Sequence, residues 1–366
     1  MESGTARGGG APLSRGRDTH EADANTAAPK QPNIITHLAT GRSPVYALDE
    51  VSHTSPLTPS QSNGGATSLG EKDMTPTVKK VLQASTPAPS WPRRNSFPRI
   101  IIVGFGKSGT RALYDALLMH PQLQGPKREV RYFDTHYDKG LTWYLEQMPS
   151  AEDGVLVIEK SPSYIIHPIS AQRLLEAVEK LNVEPSSLKF VVMVRDPIQR
   201  AVSEYLEWNL LRLYSSRNNP LHRNRLPPFE KMVYDKSGQI DLAGAPMLNA
   251  SVYSFHLSNW IHYFSPSQIC IVDGDNFVRS PYQEIHSLES CLGLKRHFTE
   301  QNFEYIPQRG FYCFRETSRS TLQCESRSKG RPHPTLPEQV VLDLKKAYQP
   351  YNEQLQMLTN RTYSWF

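Results

Sequence analysis

The run Gly104-Phe105-Gly106-Lys107-Ser108-Gly109-Thr110-Arg111 sets a lysine and two hydroxyls among three glycines, directly after the apolar Ile101–Val103. Backbone N–H groups of such a loop, with the positive end of a following helix, can surround a phosphate. Lys107 would add a point charge, and Ser108 and Thr110 hydroxyl donors. Three readings compete. A Walker A loop needs a glycine five positions before Gly106, where Ile101 stands, so a nucleoside triphosphatase fails on spacing. Gly104, Gly106 and Gly109 satisfy GxGxxG, but no acid near Gln124 occupies the place where a dinucleotide site holds its ribose. A glycine turn that only closes strand against helix leaves Lys107 unexplained. A second cluster, Val192 to Tyr205, puts Arg195 at a strand end, Pro197 in the first turn of a helix and Ser203 two turns along it. Two separate anion sites suit a nucleotide with a 5′ group and a 3′ phosphate.

Those groups need a scaffold that brings strand ends together. Arg99–Val103, Val155–Glu159, Leu188–Val194 and Gln268–Val272 read as strands. Helical patterns follow at Thr110–Leu118, with Ala112, Leu113, Ala116 and Leu117 on one face, and at Ile169–Lys180 and Pro197–Leu213. Further helices are expected over Val252–Phe264, Pro281–Leu292 and Pro337–Leu358. The alternation predicts an α/β fold, a central mostly parallel sheet flanked by helices, with its ligand site at the carboxyl ends of the strands.

The 366 residues carry 41 Lys and Arg against 36 acids, a net charge of +5, too mild for a histone-like tail. Hydrophobic residues make up 38% and support a core, while 29 prolines and a mean hydropathy of −0.52 place part of the chain outside it. Residues 1–98, rich in Gly, Ser, Thr, Pro and Ala, are expected to be a disordered leader and linker, with a transient turn at Val78–Leu82. The folded domain is then 99–366. No run approaches the roughly 18 to 20 apolar residues of a membrane span, and the first 30 residues contain no signal-type apolar region.

With these motifs in place, the sequence resembles the Golgi sulfotransferases, and among them the heparan sulfate glucosamine 3-O-sulfotransferases. Gly104–Arg111 is similar to the family's 5′-phosphosulfate loop, and Arg195–Tyr205 to its 3′-phosphate motif. The likeness runs on through Lys127–Asp134 (KREVRYFD), Glu159–Tyr164 (EKSPSY), Ile271–Asp275, Gly310–Cys313, Ser328–Pro334 and the end of the chain. It implies a P-loop-like sulfotransferase fold. It also implies 3′-phosphoadenosine 5′-phosphosulfate as donor, no metal, and heparan sulfate chains of proteoglycans, not nucleic acid, as partner. By the same resemblance the donor is held by Gly106, Lys107, Ser108, Gly109, Thr110, Arg111, Arg195, Ser203, Tyr312 and a closing loop of Lys329, Gly330, Arg331, Pro332 and His333. Glu129 is the expected base, Lys107 stabilises the departing oxygen, and Asp134 supports the cluster. Arg128, Lys160, Ser161, Pro162, Ser163, Asn259 and Trp260 are expected on the acceptor side, with Trp260 stacking on a sugar or lying in the core. A basic stretch, Arg212, Arg217, His222, Arg223 and Arg225, fits a polyanionic chain, although a charge run is also an ordinary solvated face.

The sequence departs from the family pattern in two places. Ser108 stands in a loop that commonly reads RKGGTR, and Arg131 occupies the usual place of a histidine. Arginine cannot shuttle a proton at neutral pH, but its fixed charge can stabilise sulfonate oxygens. A catalytically weak heparan-binding protein and a sulfotransferase with another acceptor are therefore carried as alternatives. Cys313 and Cys324 match the family's single disulfide, leaving Cys270 and Cys291 as expected buried thiols. Sequons at Asn249 and Asn360 fit a secretory protein and a Golgi-lumen location. The family's usual N-terminal anchor or signal is not visible, which points to a start upstream of Met1 or to a form not delivered there.

Overall fold

The structure, a computed structural model, describes residues 97–215, 226–315, 322–324 and 333–365. The expected turn at Val78–Leu82, the basic residues Arg217 to Arg225 and the loop residues Lys329–Pro332 lie outside the described residues.

Five strands form the central sheet: β1 Ile100–Gly104, β2 Leu123–Gln124, β3 Leu156–Lys160, β4 Lys189–Val194 and β5 Ile269–Asp273. Their order is β2-β3-β1-β4-β5 and every pairing is parallel. The connections supply helices α1 Thr110–Leu117, α2 Gly140–Glu146, α3 Ser170–Lys180, α4 Pro197–Ser215 and α5 Tyr253–Tyr263. After β5 come α6 Gly274–Arg279 and α7 Pro281–Leu292, and α8 Glu338–Thr359 is the last helix of the chain.

Alternation along the strands assigns the two faces. Ile101 and Val103 of β1, with Phe190, Val192 and Val194 of β4, point into a core closed by Leu174 and Val178 of α3 and Leu257 and Trp260 of α5. Ile100, Ile102, Val191 and Met193 point the other way, onto Leu113 and Leu117 of α1 and Ile285 and Leu288 of α7. Runs such as Phe190–Val194 are therefore apolar throughout because both faces are covered. A third cluster packs Ile198 and Val202 of α4 on Val340, Leu344 and Tyr348 of α8.

The path from β1 leads towards β2, whereas the path from β4 leads to β5 on the other side. The sheet thus has its switch point between β1 and β4, the place where an open parallel sheet leaves a crevice at its carboxyl edge. The phosphate-type loop follows β1 and Arg195 follows β4, so both expected anion sites border this crevice.

Several features differ from the sequence reading, β2, α2 and α6 among them. A small antiparallel sheet, β6 Phe303–Ile306, β7 Phe311–Arg315 and β8 Leu322–Gln323, was not expected, because its strands are short and β6 exposes two of four residues. Cys270 and Cys291 are not thiols: they form a disulfide joining β5 to α7, with Cα atoms 5.9 Å apart. The apolar neighbours that mark these cysteines as buried also bring their two elements into contact. Cys313 and Cys324 form the second disulfide.

Candidate active site

The loop after β1 is fixed by backbone contacts before any side chain acts. Phe105 N–H donates to the Met193 carbonyl at 2.9 Å, which ties the loop to the end of β4. Gly109 lies in the left-handed region at φ 106°, and a Cβ there would sit 3.0 Å from Met193 Cε, so glycine is required at the entry to α1. No side chain caps α1, which leaves its first amides directed at the loop. Ser108 is 3% exposed, and its Oγ has no hydrogen-bond partner among the described residues. A helix start with no side-chain cap, an unengaged buried hydroxyl and Lys107 together fit an oxyanion. Thr110 is buried in the first turn, whereas Arg111 is exposed and donates to Asp115 at 2.7 Å.

Helix α4 presents one face to this loop. Asp196 starts it by accepting the amides of Ile198 (2.8 Å) and Gln199 (3.2 Å). Burial raises the Asp196 pKa above the usual aspartate range, against these hydrogen bonds. One turn on, Arg200 is 2% exposed; it donates to the Gly106 carbonyl at 3.1 Å and to Ser251 Oγ, Glu204 and the Met247 carbonyl at 2.5 Å each. Glu207, two turns along, pairs with Lys107 at 2.8 Å. Ser203 lies between Arg200 and Glu207 at helical spacing, and so on the same side of α4. Arg195 donates to the Lys107 carbonyl at 3.4 Å and approaches Asp275 at 3.8 Å. The structure therefore gathers Gly106–Thr110, Arg195 and Ser203 at the switch point. His333 reaches α4 through Gln199 at 2.6 Å, and Tyr312 stands on β7 against Tyr305.

The other half of the crevice is built by β3 and the segment after β2. Lys160 ends β3 with its side chain 4% exposed and pairs with Glu129, which is 41% exposed. Burying the ammonium and leaving the carboxylate accessible makes Lys160 the fixed partner and Glu129 the group that can meet a ligand. Arg131, at φ 52°, directs Nε (3.2 Å) and Nη2 (3.0 Å) to Asp134 Oδ2, which also accepts from Ser163 at 2.6 Å. Arg128 is exposed on the same segment, and Asn259 donates to the Pro168 carbonyl at 3.1 Å.

Three acceptor-side expectations are corrected. Trp260 is wholly buried against Phe190 and Phe264, so it is core and cannot stack on a sugar. Ser161 is also wholly buried, accepting the Arg131 amide at 2.9 Å and donating to Glu159 at 2.5 Å. Pro162 is buried beside it. These two residues shape the site from beneath and do not face an acceptor.

Sequence reasoning missed Arg200 and Glu159. Arg200 sits at i+5 from Arg195 on an otherwise amphipathic helix and reads as a solvated charge. Glu159 reads as a strand-end acid, yet its side chain is completely buried. Burial pushes its carboxyl up to about 8, against Ser161, Lys160 and the Val130 amide, which pull it down. The only available signal was the alternation of β3, which turns Glu159 to the side of Val157, into the core that contains Tyr144 and Tyr164.

The comparisons agree with this geometry. The sulfotransferase domain family matches residues 97–359. The chain is 34% identical over 281 residues to heparan sulfate glucosamine 3-O-sulfotransferase 6 of Mus musculus, covering 76% of this chain and 77% of that one. It is 33% identical over 270 residues to heparan sulfate glucosamine 3-O-sulfotransferase 5 of Homo sapiens, covering 73% and 74%. The crystal structure of a sulfotransferase from Alicyclobacillus acidocaldarius superposes with a TM-score of 0.53 at 18% identity, covering 74% of this chain and 98% of that one, a likeness of fold alone. The parallel sheet, the loop at its switch point and these relatives have one explanation: the chain is a sulfotransferase and belongs to the heparan sulfate glucosamine 3-O-sulfotransferase family.

Proposed function

We propose that the protein transfers a sulfuryl group from 3′-phosphoadenosine 5′-phosphosulfate to the 3-OH of glucosamine in heparan sulfate, and that residues 99–366 form the domain that does so. The observation that carries this reading is the convergence of the Gly104–Arg111 loop, Arg195 and one accessible carboxylate, Glu129, at the carboxyl ends of β1, β4 and β3. Such transfer asks for in-line positioning, a base and cations for the leaving group. The donor supplies the sulfur electrophile and a phosphate leaving group. The loop amides, Ser108, Thr110 and Lys107 hold its 5′ end, Arg195 and Ser203 its 3′ phosphate, and Tyr312, His333 and the preceding Lys329–Pro332 its nucleoside side.

Glu129 takes the proton of the acceptor hydroxyl as the oxygen–sulfur bond forms and the sulfur–oxygen bond to phosphate breaks. Lys160 fixes Glu129, and Lys107 exchanges Glu207 for the developing charge on the phosphate. Arg128 and Arg131 present cations to an anionic sugar. A Golgi-lumen location accompanies this reading; no helix among the described residues is long and apolar enough to cross a membrane.

The test is incubation of the full chain with labelled donor and heparan sulfate, followed by disaccharide analysis. Label on the glucosamine 3-OH is expected, and its absence in an assay that a known enzyme passes defeats the proposal. The engagement of Arg131 by Asp134 favours a second reading, a weak catalyst that binds the same polysaccharide. An inert wild type that gains turnover on Arg131→His establishes that alternative.

A further inference from the structure

Glu159 has no part in the chemistry just described, yet it lies directly beneath it. Its carboxyl is linked to the reacting segment by two hydrogen bonds in series: the Arg131 amide donates to Ser161 Oγ at 2.9 Å, and Ser161 donates to Glu159 Oε1 at 2.5 Å. Arg131 lies at a positive φ that a side chain rarely adopts, so its backbone needs a partner to hold it, and Ser161 is that partner. Glu129 stands two residues before it. The next residue of the strand after Glu159 is Lys160, the ammonium that fixes Glu129.

The surroundings of the carboxyl favour its neutral form. Tyr114 of α1, Tyr144 of α2 and Tyr164 face it, as does Asp134, and among the described residues the cation that acts on it is Lys160. Oε2 is buried with no hydrogen-bond partner among the described residues, a position tolerable for a carboxylic acid and costly for a carboxylate. Lys160 cannot serve two carboxylates equally. While Glu159 is neutral, Lys160 has Glu129 as its carboxylate partner; once Glu159 ionises, a second negative charge competes for the ammonium.

We propose that Glu159 is a positioning residue of the sulfotransferase site: as a neutral acid it holds Arg131 in place through Ser161 and leaves Lys160 to Glu129. The proposal rests on the roles given above to Glu129 and Lys160. Its pH signature follows from the carboxyl's pKa of about 8. The neutral form prevails at neutral pH, and turnover declines as pH rises through that ionisation.

The test uses the full chain with 3′-phosphoadenosine 5′-phosphosulfate and heparan sulfate, reading kcat against pH beside the affinity for adenosine 3′,5′-bisphosphate. Wild type is expected to lose about tenfold in kcat between neutral pH and roughly pH 9, and Glu159→Gln, which cannot ionise, to lose this decline. Ser161→Ala, a one-atom deletion, is expected to lower kcat about tenfold at neutral pH with nucleotide affinity unchanged. If Glu159→Gln keeps the alkaline decline, or Ser161→Ala turns over like wild type, the proposal is overturned. An infrared titration needs no acceptor. The carbonyl band of a buried carboxylic acid should vanish as pH rises in wild type and be missing from Glu159→Gln; a wild type without that band also overturns the proposal. A titrating band in a protein that sulfates no heparan sulfate would sink the acceptor assignment and leave the neutral acid in place.

Discussion

Arg200 donates to the backbone carbonyl of Gly106 from inside helix α4, so the glycine loop is held by a buried cation from a different element. The same guanidinium binds Ser251, Met247 and Glu204, joining the loop to the α4–α8 core through hydrogen bonds. Arg200→Ala leaves the mostly buried Glu204 without its cation and should cost about 3 kcal/mol of stability. Thermal unfolding with and without adenosine 3′,5′-bisphosphate checks both consequences: a lower Tm, and a smaller upward shift on adding the nucleotide because the loop is no longer fixed.

Glu129 is accessible and paired, and its loss should separate binding from chemistry. Glu129→Gln is expected to lower kcat by about 10² to 10⁴-fold, with nucleotide affinity within experimental error of wild type. Calorimetric titration beside a turnover assay decides it, and a mutant as fast as wild type removes Glu129 from the role of base.

Two buried groups give stability opposite dependences on pH. Burial lowers the His256 pKa to about 4, so its contribution is complete above the unfolded value of 6.5 and is lost as pH falls from there towards 4. Burial raises Glu159 to about 8, so its contribution is complete below the unfolded value of 4.5 and is lost as pH rises from there to 8. Glu159→Gln should therefore remove the part of the decline in Tm that accrues between about pH 4.5 and 8, and leave the loss that His256 causes as pH falls towards 4. An unchanged Tm profile between about pH 4.5 and 8 would contradict burial as the cause.

The Cys270–Cys291 disulfide closes a loop of sequence separation 21 between β5 and α7. Replacing both cysteines with serine should destabilise the fold by about 3 kcal/mol, read as a lower denaturant midpoint. A midpoint unchanged within error would mean that packing alone fixes α7 on the sheet.

The two sequons differ in the role of their third residue. Thr362 is exposed, as is Asn360 at the end of α8, whereas Ser251 is buried with its Oγ on Arg200. Expression through a secretory pathway should yield one glycan, removed by Asn360→Gln and by N-glycosidase. A glycan that persists in Asn360→Gln would place modification at Asn249 instead.

Much of the fold was legible because the chain writes its periods plainly. The apolar runs at Ile101–Val103 and Phe190–Val194, each followed by a helical pattern, define a doubly covered parallel sheet and thereby where its ligand edge must be. Gly104–Arg111 and Arg195 could be placed because strand, loop and helix succeed one another in a few residues. Residues whose meaning depends on distant partners were harder. Arg200 has its partners at Gly106, Met247 and Ser251, far apart in sequence, and a single arginine on a helix gives no sign of them. Trp260 suits a sugar face or a core equally until the packing of Phe190 and Phe264 is known. Cys270 and Cys291 lie in apolar settings that suit a thiol, and only the apposition of β5 and α7 makes them a pair.

The two disulfides take up all four cysteines of the chain. The folded molecule consequently offers no sulfhydryl to alkylating reagents, nitrosylation or soft metals, and its redox state becomes a record of provenance. Material folded where glutathione keeps thiols reduced would carry up to four titratable sulfhydryls, and material matured in an oxidising lumen none. A colorimetric thiol count can thus tell two preparations of identical sequence apart.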